Sequence, residues 1–198
     1  MTRKLVFLPG VGADPDFWRP LGERLPAAWE KIYLGWPGLG RQPPDPSVTG
    51  RRDLLRLVEE AIGDGPTDLL AQSMGGVLAI QAALRQPERV RRLVLTVTSG
   101  GVDMAGLGAI NWRDNYRREN PRAPAWVFEP WGEPAIADVG QPTLLIWGDA
   151  DPISPVAVGE RLASLLPNAT LRVVAGGDHG LAEPRSAEIA PWIEAHLA

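Results

Sequence analysis

Three separate stretches of this sequence hold side chains suited to covalent chemistry. Ser73 stands in Asp68-Leu69-Leu70-Ala71-Gln72-Ser73-Met74-Gly75-Gly76-Val77-Leu78-Ala79. An apolar run enters, one hydroxyl follows at a turn, and two glycines open a second apolar run. A serine hydroxyl is a poor nucleophile until a neighbouring imidazole takes its proton. The sequence has 2 histidines, so such a base is His179 or His196. His196 lies near the end of a helical stretch, where a solvated and partly cationic ring is expected. His179 lies in the loop Ala175-Gly176-Gly177-Asp178-His179-Gly180. An imidazole base needs an acceptor that fixes its tautomer, and Asp149, Asp151 and Asp178 are the acids on offer. All of these residues also have plainer uses: a Ser-x-Gly-Gly turn can end a strand, and aspartates cap turns and helices.

The elements that position these groups are legible as alternating patterns. Short runs rich in Val, Ile and Leu predict strands at Lys4–Leu8, Lys31–Leu34, Thr67–Ala71, Arg92–Thr96, Thr143–Trp147 and Leu171–Val174. Such runs suit strands buried on both faces. Helices are predicted around Trp18–Leu25, Arg51–Ile62, Gly75–Gln86, Val156–Leu165 and Ser186–His196. In the second of these, Leu54, Leu55, Leu57, Val58 and Ile62 recur at helical spacing. Strands alternating with helices imply an α/β protein with a parallel sheet.

Composition narrows the function classes. A chain of 198 residues can bury one substantial core, and residues 1–198 are expected to form a single domain. The net charge of -4 offers no basic field for nucleic acid or an anionic membrane. With 0 cysteines there is no disulfide, thiolate metal site or cysteine nucleophile. No apolar run is long enough to span a bilayer, and Leu5-Val6-Phe7-Leu8 is too short for a signal peptide before Pro9-Gly10. A cytoplasmic protein is the default expectation.

In this order, the motifs resemble those of the α/β-hydrolase superfamily. The stretch around Ser73 resembles its nucleophile elbow, a strand-to-helix turn that raises a serine above the sheet. Ala71 takes the place of the usual first glycine. The resemblance implies an oxyanion loop at Leu8-Pro9-Gly10-Val11-Gly12-Ala13-Asp14, with the N–H groups of Val11 and Met74 as donors. Trp36-Pro37-Gly38-Leu39-Gly40 resembles the family turn after the second strand. The segment around His179 resembles the family's Gly-x-x-His. Trp147-Gly148-Asp149-Ala150-Asp151-Pro152 looks like its Gly-x-x-Asp, which favours Asp151 over Asp149. The order Ser73, Asp151, His179 is the family's order. The implied architecture is a three-layer α/β-hydrolase fold with about six parallel strands, lacking the usual N-terminal antiparallel pair.

The interval from about 100 to 140 is where relatives insert a cap, and its length suits only a short lid. Gly100, Gly101, Gly106 and Gly108 predict loop, Ile110–Asn120 one short polar helix, and Pro121, Pro124, Pro130 and Pro134 an extended remainder. Trp112, Trp126, Trp131 and Phe128 in this segment, with Trp18 and Trp36, are candidates to line an apolar acyl pocket. The expected activity is that of a serine hydrolase acting on carboxylic esters or thioesters of a small molecule, with no metal or organic cofactor. Cofactor-free C–C cleavage, lyase or perhydrolase chemistry on the same scaffold, or a non-catalytic ligand-binding role, are the alternatives. A monomer or a homodimer is compatible with the sequence.

Overall fold

The computed structural model describes residues 2–132 and 134–198, and a six-stranded sheet runs through its centre. In chain order the elements are β1 (Lys4–Leu8), α1 (Arg19–Gly22), β2 (Glu30–Tyr33), α2 (Arg51–Ile62) and β3 (Thr67–Gln72). After them come α3 (Met74–Arg85), β4 (Val90–Thr96), α4 (Trp112–Glu119), β5 (Thr143–Gly148), α5 (Val156–Leu165), β6 (Ala169–Val174) and α6 (Ser186–Leu197). The strand order is β2-β1-β3-β4-β5-β6, and every neighbouring pair is parallel. Helices α1 and α6 pack together, as do α2 and α3, giving a helix–sheet–helix sandwich.

The sheet separates strands by how many faces are covered. All six residues of β3 and of β5 are buried, as continuous apolar runs on a doubly covered sheet should be. The two edge strands depart from the expectation of burial on both faces. No residue of β2 is fully buried, and only Val174 is buried in β6. An edge strand has one neighbour and incomplete cover, so Val173 can stay 43% exposed. At α2, Leu54, Leu55, Val58 and Ile62 turn to the core. Asp53 begins that helix by accepting from Thr49 N–H at 2.8 Å and Gly50 N–H at 3.1 Å, which uses donors the helix start leaves unpaired.

Because every strand is parallel, their C-terminal ends share one edge of the sheet. The chain leaves β1 for β2 on one side, then returns to place β3 on the other. The loops after β1 and β3 therefore diverge, leaving a crevice at the switch point. The lid segment between β4 and β5 lies over this edge. It contains α4 as expected, but the proline-rich remainder is not simply extended: it forms short 3-10 turns at Ala125–Phe128 and Ile136–Asp138. Proline fixes φ near the helical value, so a Pro-rich segment can coil where apolar residues such as Val127 and Ile136 have a core to reach.

Candidate active site

Ser73 sits between the last residue of β3 and the first of α3, with φ 52° and ψ -119°. A non-glycine residue at positive φ costs about 1–3 kcal/mol and persists where its surroundings over-determine it. Burial of Leu69 and Leu70 next door, at about 1.5–3 kcal/mol each, is enough to hold the turn. The close approach behind it demands small residues. A Cβ on Gly75 would lie 2.5 Å from Leu8 O and 2.7 Å from Pro9 O, so α3 can pack onto the loop after β1 only with glycine there.

Three side chains from three strand ends meet at this point. His179 Nε2 is 3.0 Å from Ser73 Oγ, and His179 Nδ1 is 2.8 Å from Asp151 Oδ2. The Asp151 side chain is wholly buried, whereas that of His179 keeps 24% of its surface exposed. Asp151 Oδ1 accepts from the N–H groups of Ile153 at 2.8 Å and Ser154 at 3.2 Å. The carboxylate is thereby fixed in rotamer before it meets the imidazole. Gln72 donates from Nε2 to His179 O at 2.9 Å, tying the histidine loop to the end of β3. The rival acids are engaged elsewhere: Asp149 accepts from Gly176 N–H at 2.6 Å and Asp178 from Gly180 N–H at 2.9 Å.

His196 departs from the expected solvated helix end. Its Nε2 is 3.0 Å from Leu93 O and the residue is only partly exposed. Burial pulls its pKa below the ordinary histidine value, with Arg92 and Arg3 acting in the same direction against hydrogen bonds to Leu93 and Pro142. The folded state thus resists protonating a group that the unfolded chain protonates near pH 6.5. The unfolded state binds more protons in that window, so stability rises with pH through it and is lost on acidification. A His196→Gln protein should show a smaller drop in melting temperature between pH 7.5 and pH 5 than the parent, measured by circular dichroism. An identical drop would contradict this sign.

A cavity of about 390 Å³ opens above Ser73 and His179. Val11 and Met74 line it beside Ser73, and Val77, Val97, Met104, Ile110, Trp112 and Trp131 supply apolar wall. Met74 is the first residue of α3, so its N–H has no partner within the helix. Tyr116 on α4 donates its hydroxyl to Val11 O at 3.3 Å, and burial pushes that phenol up, keeping it a neutral donor. Arg51 at the start of α2 straps the lid from outside, with Nε and Nη2 donating to Trp126 O at 3.1 and 3.0 Å. Its guanidinium also lies 4.4 Å from the centre of the Trp131 ring.

Of the five tryptophans expected around a pocket, Trp112 and Trp131 line this one. Trp18 is wholly buried against Phe7 and Phe17 in the core. Trp36 is also buried, and its indole N–H donates to Pro9 O at 2.9 Å; it braces the loop after β1 from below. Trp126 offers its carbonyl to Arg51, while Val127 and Trp131 of the same segment reach the cavity. An indole can fill a core as readily as a pocket, so composition does not separate these fates. Met104 and Ile110 carry no signal in the sequence beyond apolar character in or beside a glycine-rich loop, and Tyr116 none beyond its place on the expected short helix. Among the described residues no three His, Cys, Asp or Glu side chains are grouped as a metal site requires.

The family model described as the alpha/beta hydrolase family matches residues 5–192. The chain belongs to that family. That membership, with esterase and hydrolase relatives, supports an enzyme of the hydrolase class. Among curated proteins it is 27% identical to the polyketide synthase ThaQ of Burkholderia thailandensis, over 90% of this chain but 11% of the synthase. It is 31% identical to the pimeloyl-[acyl-carrier protein] methyl ester esterase of Neisseria meningitidis serogroup B, over 49% of this chain and 37% of the esterase. The chain thus matches well under half the length of either relative. Among solved structures, the meta-cleavage product hydrolase of Pseudomonas fluorescens IP01 superimposes with a TM-score of 0.76 at 18% identity, covering 98% of this chain and 90% of that one. This last likeness is one of fold. No helix among the described residues is long and apolar enough to cross a membrane.

Proposed function

We propose that this hydrolase cleaves carboxylic esters or thioesters of a small molecule with an apolar acyl part, through an acyl-enzyme on Ser73. The observation that carries the reading is the continuous line from Ser73 Oγ through His179 to buried Asp151, set at the floor of a largely apolar cavity. His179 accepts the Ser73 proton as Oγ attacks the acyl carbon. The N–H groups of Val11 and Met74 hold the oxyanion, and Asp151 stabilises the imidazolium. The imidazolium then gives its proton to the departing alkoxide or thiolate. A water, deprotonated by His179, releases the acid and restores Ser73. The methyl ester esterase relative supports an ester as the bond cleaved.

The cavity volume of about 390 Å³ lies in the range of small-ligand sites. The test is a panel of p-nitrophenyl esters and acyl thioesters graded by chain length, run beside a β-diketone and a peroxide assay. Ester or thioester turnover with a burst of product is the expected outcome, with the highest kcat/KM on medium apolar chains. Faster cleavage of the diketone, or turnover only with peroxide, would overturn the ester reading.

A further inference from the structure

Among the described residues, two that are not glycine hold a positive φ: Ser73 at 52° and Val97 at 41°. They directly follow the adjacent strands β3 and β4. For a β-branched residue such a φ is an outlier that neighbouring structure must enforce. Val97 is buried, and its N–H donates to Ile146 O at 3.2 Å. What this turn delivers is the next residue, Thr98. The Thr98 hydroxyl donates to Ser73 O at 2.6 Å and accepts from Gly100 N–H at 3.0 Å. It reaches that carbonyl because α3 carries glycine beside it: a Cβ on Gly76 would lie 2.5 Å from Thr98 Oγ1.

We propose that Thr98 is a positioning residue that locks the Ser73–Met74 peptide, and so aims the Met74 N–H into the cavity. In a planar trans peptide the C=O and N–H point in opposite directions, and there is no cis peptide among the described residues. A hydroxyl that fixes the Ser73 carbonyl behind the turn therefore fixes the Met74 N–H in front of it. The lock is itself anchored. Thr98 O accepts from the Ser154 hydroxyl at 3.4 Å, and that hydroxyl accepts from the Trp147 indole at 3.2 Å. Ser154 N–H in turn donates to Asp151 at 3.2 Å. Thr98 thus joins the serine turn to the aspartate loop by a route that does not pass through His179. This role rests on the reading of Ser73 as nucleophile and Met74 N–H as oxyanion donor.

Thr98→Val removes the hydroxyl and keeps the shape, while Thr98→Ser keeps the hydroxyl and removes a methyl. Thr98→Val should lower the ester kcat by about 10- to 100-fold, the scale of a slightly misplaced group, with KM changed by less than about 2-fold. The rate of labelling by a fluorophosphonate, whose phosphoryl oxygen needs the same donor, should fall in parallel. Thr98→Ser should stay within about 3-fold of the parent. Wild-type kcat in Thr98→Val, a change in KM alone, or equal losses in both variants would overturn the proposal; the last would mean that methyl packing matters. Melting temperatures, and Ser73→Ala beside them, separate the two layers of the argument. Ester turnover unaffected by Ser73→Ala would bring down the underlying mechanism. Turnover lost in Ser73→Ala yet intact in Thr98→Val would bring down Thr98 alone.

Discussion

A Ser73→Ala protein should fold like its parent and lose on the order of 10⁵- to 10⁶-fold in ester kcat, the loss typical of removing a serine nucleophile from a coupled triad. Alanine keeps the Cβ and removes only the Oγ that stands 3.0 Å from His179 Nε2, so the apolar surroundings stay filled. His179→Ala should cost about as much, and the double variant little more, because either loss already disables the same proton transfer. The position also offers a contrast between chemistry and strain. Ser73 holds φ at 52°, a value that costs an L-residue free energy and glycine almost none. Ser73→Gly should therefore be more stable than Ser73→Ala by about 1 kcal/mol, while both are inactive. Calorimetry and an ester assay on the three proteins test both statements. Parent-like turnover in either variant would remove Ser73 from the mechanism, and a less stable glycine variant would refute the strain argument.

What the sequence disclosed about this fold depended on how strongly each element was patterned. The buried strands β3, β4 and β5 were visible as apolar runs because a sheet covered on both faces leaves no polar alternation. Helix α2 was visible to the residue because its apolar stripe recurs at helical spacing and stops at Gly63. The edge strands β2 and β6 were found but mistaken for doubly buried ones, since cover by neighbours is a tertiary fact. The lid was the least legible part. Its short 3-10 turns rest on single apolar anchors such as Val127 and Ile136, and no period marks them.

The site divides in the same way. His179 stood out because the sequence has 2 histidines, and Ser73 because its hydroxyl stands between two apolar runs at a turn followed by two glycines. Thr98 and Gln72 had no such signal. Each is one polar residue at the end of an apolar strand, and their roles depend on partners 25 and 107 positions away in the chain. The tryptophans show the limit most sharply. Trp36 follows β2 and Trp112 opens α4, the same residue type at the same edge of the sheet, yet one braces a backbone carbonyl and the other lines the cavity. Only the three-dimensional path of the chain distinguishes them.

The choice between Asp149 and Asp151, two residues apart on one loop, is where geometry adds most, and it leads to the second large effect. Asp151→Asn should lower the ester kcat by about 10⁴-fold at neutral pH. An asparagine oxygen can still accept from the N–H groups of Ile153 and Ser154, which Asp151 Oδ1 now receives at 2.8 and 3.2 Å. The loop should therefore keep its shape. The amide NH₂ would then face His179 Nδ1 in place of a carboxylate oxygen at 2.8 Å. A donor there favours the tautomer with the proton on Nε2, which cannot accept the Ser73 proton, and it withdraws the charge that stabilises the imidazolium. Asp149 meets no imidazole; its Oδ1 only receives Gly176 N–H at 2.6 Å. Asp149→Asn retains that acceptor and should change kcat by less than about 3-fold, within the range of a surface loop substitution. Measuring kcat for both variants over pH 6 to 9, with melting temperatures as a control on folding, decides between the two acids. A large loss in Asp149→Asn with a small one in Asp151→Asn would reverse the assignment. Large losses in both would mean that the loop between β5 and α5 acts as a unit, with no single acceptor for the imidazole.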